Sequence, residues 1–552
     1  LVGSEMCIRD RMIFMKTNIR LLFTACAVAL VTSCTNLDVD VESQYTEYPT
    51  NEIAVEAKMA DVYYQLRDVF GRRYMEVQAL SSDEYTAVSY GGGWYDSGAY
   101  AHPSLHNYTY EDATIDWMGQ LTSGITKANK IIAELGGNEA GATVAPARAM
   151  RAFFHFILMD CWGDAPILDH AMAEGETIDR SPRADVAKFI ESELKEIIPQ
   201  LTDEVNTNTY GKPTKWMAEA LLAKIYINWP VYTAASVDLY DAATAKNEKL
   251  NDCIALCDDI IKSGKFNLGS MSYSKKFGPD NGPQVEDFIY VMPYDTYTAQ
   301  GMQYGRSRCW KDIKSCEKSY FGMKLSQSGG GYITMTPEFA NLFNLEGDQR
   351  NNCVIGGTVH VYDPKTYLPT DEIAVDKNGD PIVLTKEITL VKEGDIELGV
   401  GDDINGYSQG YRSVKFFVID DDFKNGRNQS NDLPIFRYAD ILLTKAEAIV
   451  RGGSATNGDT ATSLFNQIRS YVTAPIIDHT PSLQELLDER GREFLDENWR
   501  RNDMIRFGTF ESEFFPHYRG FPTANFDKTR RIFPLHKDIL NTNPNWKQNN
   551  GY

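Results

Sequence analysis

Cysteine and histidine are scarce in this chain of 552 residues, which has nine of the first and eight of the second. Cys7, Cys26 and Cys34 fall in the first 34 residues, and the six that remain are too sparse for a disulfide scaffold. No Cys-x-x-Cys pair and no His-Glu-x-x-His helix occurs, so the commonest zinc signatures are absent. Cys253 and Cys257, four apart, read as small core residues on a helix. A Gly-x-x-x-x-Gly-Lys-Ser/Thr loop is also missing, which removes the commonest nucleotide-hydrolase signature. Positive charge is in deficit, with 55 Lys and Arg against 77 Asp and Glu, a net charge of −22 and a pI near 4.9. Such a surface repels phosphate backbones and argues against nucleic-acid partners. What is abundant is core material. Hydrophobic residues make up 43 % and charged residues 24 %, the balance of a globular protein and not of a disordered one.

The amino terminus reads as an address. Lys16 and Arg20 precede an apolar run from Leu21 to Val31 that is too short for a permanent membrane helix. A basic start, a short apolar stretch and small residues describe a secretory signal peptide, assigned to residues 1–33. Residues 1–11 precede the plausible start residues Met12 and Met15 and read as extraneous. Val31-Thr32-Ser33-Cys34 looks like a bacterial lipobox, so Cys34 is expected to carry a diacylglycerol and become the mature first residue. Two or three acyl chains anchor stably where one would be marginal. Residues 34–50, with Asp38, Asp40, Glu42 and Glu47 and no apolar periodicity, read as the lipidated tether. The protein is expected on the membrane through this lipid.

Beyond the tether, helical periodicity dominates. Val55, Met59, Val62, Leu66 and Val69 share one helix face, and Trp117, Leu121, Ile125, Ala128, Ile132 and Leu135 another. Met150, Phe154, Ile157 and Cys161 repeat the pattern with Ala149, Phe153 and Phe156 opposite, which predicts a helix buried all round. Further helices are predicted at 186–201, 216–227, 250–261, 439–450, 464–471 and 483–494, with Gly264 and Gly452 as stops. Nine helices, several in adjacent pairs, predict a mainly α fold of stacked, tetratricopeptide-like helical hairpins, although the full consensus of that repeat is absent. Residues 71–115 and 263–435 are too long for simple connections. Strand-like runs at 373–375, 382–385 and 414–419 make the second a loop-rich, partly β insertion. The organisation is therefore a helical scaffold over 51–262 with a binding loop at 71–115, the insertion at 263–435, and a C-terminal helical part and tail at 436–552.

Several segments match a family pattern. They are Ala147 to Phe156 followed by Trp162-Gly163-Asp164-Ala165-Pro166-Ile167, then Gly211 to Trp216 leading into Leu221-Leu222-Ala223-Lys224. Asn431 to Asp440, Glu489-Arg490, Glu493-Phe494, Arg500 to Gly508 and the tail from Phe533-Pro534-Leu535 to Tyr552 follow in order. This series resembles the SusD/RagB outer-membrane lipoproteins along nearly the whole mature chain. The stretch Asp496-Glu497-Asn498 departs from it, where a glycine-containing turn is frequent. The resemblance implies a protein on the outer face of the outer membrane that caps a TonB-dependent, SusC-like barrel transporter. It implies capture of glycans, or in some members peptides, without catalysis and without a cofactor. The buried arginines of these motifs read as scaffold.

Capturing a sugar without cleaving it needs aromatic faces for the rings, with amides and carboxylates for the hydroxyls. The first interruption offers Tyr85, Tyr90, Trp94, Tyr95, Asp96 and Tyr100, with Asp83 and Asn107 nearby. The second offers Tyr294, Tyr297, Tyr304, Arg306, Arg308 and Trp310. Trp94, Tyr95, Asp96, Tyr297, Arg308 and Trp310 are the proposed ligand-binding set, with the four aromatic side chains as a platform. Trp117, Trp162, Trp216, Trp499 and Trp546 read as core or tail structure. Asp376, Asn378, Asp380 and Glu387 fit positions 1, 3, 5 and 12 of a calcium loop, but Pro381 replaces the glycine at position 6. Asn378-Gly379 favours a hairpin turn there, and no metal is expected. A surface glycoside hydrolase, a peptide-binding member of the same family and a pure docking adaptor are the rival readings.

Overall fold

The computed structural model describes residues 52–90, 99–393, 396–401, 404–511 and 523–552. The chain divides into residues 1–56, described only from Glu52, and one compact unit of residues 57–552. The longer helices follow the apolar periodicity closely. They are α1 (Glu52–Tyr63), α2 (Met118–Glu134), α3 (Ala145–Trp162), α4 (Arg183–Ile197), α5 (Lys215–Ile227), α6 (Leu250–Ser263), α7 (Tyr438–Val450), α8 (Ala461–Tyr471), α9 (Leu483–Glu493) and α10 (Arg500–Phe507). Their ends are set by local chemistry. Thr214 accepts the Met217 N–H at the start of α5, and Ser482 and Glu485 form a reciprocal capping box at the start of α9. Gly264 closes α6 at φ 64°, a left-handed conformation open to a residue without Cβ.

Neighbours in sequence pack on one another: α2 on α3, α3 on α4, α5 on α6, and α7 on both α8 and α9. The predicted burial of α3 on every side is observed, since all of its residues except Pro146 are buried. That position forces its two arginines to find carboxylates. Arg148 pairs with Glu193 at 2.7 Å and Glu196 at 2.8 Å, and Arg151 with Glu193 at 2.5 Å. A second chain of buried charges joins α5, α7, α9 and α10 through Lys224–Asp440, Arg490–Asp440, Arg490–Asp503 and Arg506–Glu447 contacts of 2.6–2.9 Å. Removing one partner from such a pair leaves a buried charge uncompensated, so these contacts fix the helices relative to one another. The six cysteines from Cys161 onward are free and buried, and serve as core residues.

The stretch between α6 and α7 is built from short two-stranded antiparallel ribbons. Among its strands, β2 (Phe288–Met292) pairs with β4 (Leu433–Arg437), while β3 (Ile333–Met335) pairs with β1 (Tyr85–Ala87). The expected strand at 414–419 does not form. Val414, Phe416, Phe417 and Val418 are all buried, but the paired strand ends just before them, at Arg412–Ser413. The turn 496–498 accounts for the departure from the family pattern. Asp496 and Asn498 adopt φ of 65° and 67° without glycine, as short polar side chains can. They also act as tethers, Asp496 with Arg308 at 2.6 Å and Asn498 donating to the Tyr304 hydroxyl at 2.8 Å.

Candidate functional site

Much of the expected binding loop is core. The helix Tyr74–Leu80 and strand β1 fill residues 74–87, and Tyr85, Tyr90 and Tyr100 are buried. Asp83 is held by the Arg500 guanidinium at 2.6 and 2.7 Å. Trp94, Tyr95 and Asp96 lie outside the described residues, as does Cys34. Of the aromatic candidates in the second region, Tyr297 is the exposed one, at 64 %, on a turn whose N–H groups donate to Asp295.

Two candidates are corrected. Arg308, buried, sandwiches its guanidinium between Tyr85 and Tyr304 at 4.6 and 4.8 Å while pairing with Asp496. It fastens the interruption to the α9–α10 turn and offers nothing to a ligand. Trp310 is 1 % exposed and belongs to an apolar core with Tyr320, Phe321, Val414 and Phe417. It is not an open stacking face. A stretch without helical period can be a buried loop as well as an exposed one, and aromatics are what bury it.

Trp310 nevertheless borders the cleft with the clearest polar chemistry. The cleft has a volume of about 620 Å³, and its wall carries Asp376, Asn378, Asp380, Glu387, Asn405 and Gln409, with the hydroxyls of Thr385, Thr389 and Ser408. Three local devices hold this wall. The first is the expected hairpin: Asn378 and Asp380 N–H groups donate to Asp376 Oδ1 at 2.8 and 3.0 Å, Gly379 turns at φ 88°, and Val375 bridges Pro381. Slight desolvation of the Asp376 carboxyl is outweighed by the N–H groups of Asp380 and Asn378, which hold it below its ordinary range. The second is Gln409, whose Oε1 accepts the Thr389 N–H at 2.6 Å while its own N–H group donates to Val400. The third is a knot of rings behind Ser408: Tyr90 meets Tyr407 edge to face at 4.9 Å, and the Lys311 ammonium lies 4.4 and 4.8 Å from the two rings. The Trp310 indole Nε1 is buried without a hydrogen-bond partner.

The cleft suits a polyol. It offers carboxylate and amide oxygens to accept hydroxyl protons, amide N–H groups to donate, and no basic side chain among its lining residues. Among the described residues no cluster of His, Cys, Asp and Glu is placed to hold a metal ion, and Asp376 spends its oxygens on its own turn.

Comparison with known proteins agrees with this architecture. The SusD family model matches residues 289–552, and the model described as starch-binding, associating with the outer membrane, matches residues 37–227. The chain belongs to the SusD/RagB family. A curated relative, the starch-binding protein SusD of Bacteroides thetaiotaomicron, is 25 % identical over 454 residues, spanning 78 % of this chain and 77 % of the relative. Surface glycan-binding protein A from the same species superposes with a TM-score of 0.69 at 18 % identity, covering 91 % of this chain and all of that structure. Its complex with laminarihexaose superposes at 0.62 and 18 % identity, covering 90 % and 99 %. These likenesses establish the mainly α, tetratricopeptide-like fold of this SusD-family chain.

Sequence reasoning missed the cleft wall in the SusD-family chain. Asp376 to Glu387 were weighed only as a turn or a calcium loop, and Asn405, Ser408 and Gln409 were not weighed at all. The available signal was an excess of carboxylates and amides over what a hairpin needs.

Proposed function

We propose that this protein is a cell-surface glycan-binding lipoprotein, anchored through Cys34 on the outer membrane, that captures an oligo- or polysaccharide and passes it to a SusC-like TonB-dependent transporter. The observation that carries the glycan reading is the cleft bordered by Trp310, whose wall pairs carboxylates with amides and hydroxyls in the way sugar hydroxyls require. The names of its relatives, starch-binding and surface glycan-binding, support the same class of ligand. The transporter and the lipid follow from the family and from the lipobox-like sequence. Among the described residues no helix is long and apolar enough to cross a membrane.

Native electrophoresis through gels containing single polysaccharides tests the reading. At least one glycan should retard the wild-type protein, with no shortened products when the same glycan is incubated in solution. Asp380→Asn combined with Glu387→Gln should weaken retardation about thirtyfold, since each exchange leaves a neutral hydrogen bond in place of a charge-assisted one, a loss of about 1 kcal/mol apiece. Release of oligosaccharides would establish the hydrolase instead. Recovery of Cys34→Ala in the membrane fraction would refute the anchor, and failure to co-purify a large β-barrel protein from mild detergent would count against the transporter.

A further inference from the structure

Positive charge, in deficit over the chain as a whole, collects where three segments meet. The helical turn Val69–Arg73 carries Arg72 and Arg73, the short helix Tyr304–Arg308 carries Arg306, and the turn at 425–428 carries Arg427. Backbone contacts draw these segments together. The Gln303 N–H donates to the Gly71 carbonyl at 2.9 Å, and the Gln429 N–H to the Met302 carbonyl at 2.8 Å. Gly71 permits the first approach, because a Cβ there would overlap the Gly301 carbonyl.

The charges in this place do not balance. Among the described residues, Glu76 is the one carboxylate that pairs with any of these four arginines. It is fully buried and already accepts from Arg72 Nε at 3.1 Å, Arg73 Nη1 at 3.4 Å, and the Tyr332 and Tyr100 hydroxyls at 2.7 and 3.1 Å. Arg306 donates to Gln303 Oε1 at 2.8 Å and Arg427 to the Ser328 carbonyl at 3.4 Å, and neither forms an ion pair among the described residues. The Nε–H of each is buried without an acceptor. Partial burial, then the charges of Arg306 and Arg72, hold the Arg427 guanidinium below its ordinary range, while the nearby Tyr332 hydroxyl acts the other way. The cluster is nevertheless open to solvent. Arg72 and Arg73 keep 25 % and 29 % of their side-chain surface exposed, and Arg306 and Arg427 are half-buried. Like charges held together at a partly buried place repel one another more than in water, and an incoming anion relieves that repulsion.

We propose that Arg72, Arg306 and Arg427 form an oxyanion-binding site, apart from the cleft bordered by Trp310, that takes a sulfate or carboxylate group of an acidic ligand. The planar fork of a guanidinium offers paired N–H donors that match two oxygens of such a group. The site stands on the charge balance and is independent of the glycan reading.

The test titrates sodium sulfate and sodium glucuronate into the purified protein by calorimetry at low salt, with glucose as the neutral control. At least one of the two anions should bind, and glucose should not displace it. Sulfate alone would identify a sulfate ester as the group recognised, glucuronate alone a sugar carboxylate, and both together the oxyanion as such. Arg306→Gln and Arg427→Gln should each weaken binding about tenfold, the loss of one charge-assisted contact. Both variants should melt near the wild type, because neither side chain is in the core. Arg427→Lys keeps the charge but not the fork and should fall between. Lys188→Gln, in an exposed ion pair on α4, should bind as the wild type does. Binding of neither anion, binding untouched in both arginine variants, or an equal loss in Lys188→Gln would each overturn the proposal.

Discussion

Arg437 offers the sharpest test of how the helical scaffold and the insertion are held together. It ends β4 and precedes α7, and its fully buried guanidinium donates five hydrogen bonds, to Glu497, Asp287, and both the side chain and the backbone carbonyl of Glu493. In Arg437→Ala three carboxylates lose a shared cation. Breaking a buried pair costs about 3–5 kcal/mol. Each carboxylate keeps one other cation, Lys276 on Asp287 at 2.9 Å, Lys415 on Glu497 at 2.6 Å and Arg350 on Glu493 at 3.2 Å, which places the electrostatic loss near the lower end. Losing two methylenes of the stem, which run toward the rings of Phe277 and Phe494, adds about 1.5 kcal/mol. The expected loss is therefore about 4–5 kcal/mol. Arg437→Lys keeps the charge but not the fork, and should lose about half as much. Urea unfolding followed by tryptophan fluorescence reads both variants. The loss in Arg437→Ala should grow between pH 5 and 8, because carboxylates left short of cations tolerate folding better when protonated. A variant within about 1 kcal/mol of the wild type, or an alanine variant no worse than the lysine one, would refute the reasoning.

Trp310→Ala should lose about 3–5 kcal/mol of stability, whereas Trp310→Phe should keep most of the stability and leave glycan retention unchanged, as a core ring behind the cleft wall should; urea midpoints beside affinity gels check both. Burial, reinforced by the Asp496 charge, raises the Glu84 carboxyl to about 8. The folded protein thus holds a proton that the unfolded chain releases near 4.5, and stability falls as pH climbs between those values. Glu84→Gln should gain on the wild type across that window, and equal urea midpoints at pH 5 and 8 would rule this out. Burial lowers His155 to about 4, and the neutral ring is used on both sides, against the Arg151 carbonyl at 2.8 Å and the Leu168 N–H at 3.0 Å. Its unfolded form protonates first, so the contribution is intact above about 6.5 and is lost as pH falls from there to about 4. Comparing His155→Gln with the wild type over a pH series should show the wild type alone carrying that slope.

The helices were legible because burial of a helix leaves a 3.6-residue trace in the order of side chains. Ala145–Trp162 carries that trace on two faces and is buried on both. The hairpin at Asn378-Gly379 was legible for a similar reason, since a tight turn constrains its own residues. The fates of Arg308 and Trp310 were not. In segments without a period, the same aromatics and arginines serve an exposed site or a buried anchor, and what decides is a partner far away, Asp496 for Arg308 and the core around Phe417 for Trp310. The cleft wall is likewise a meeting of 376–389 with 405–409, brought together by bonds such as that from the Thr389 N–H to Gln409. The sequence by itself determined the periodic scaffold and the turns, because their causes lie within a few residues of one another. Only the tertiary structure decided which loop side chains face solvent, because that depends on contacts between segments whose order along the chain carries no record of their meeting.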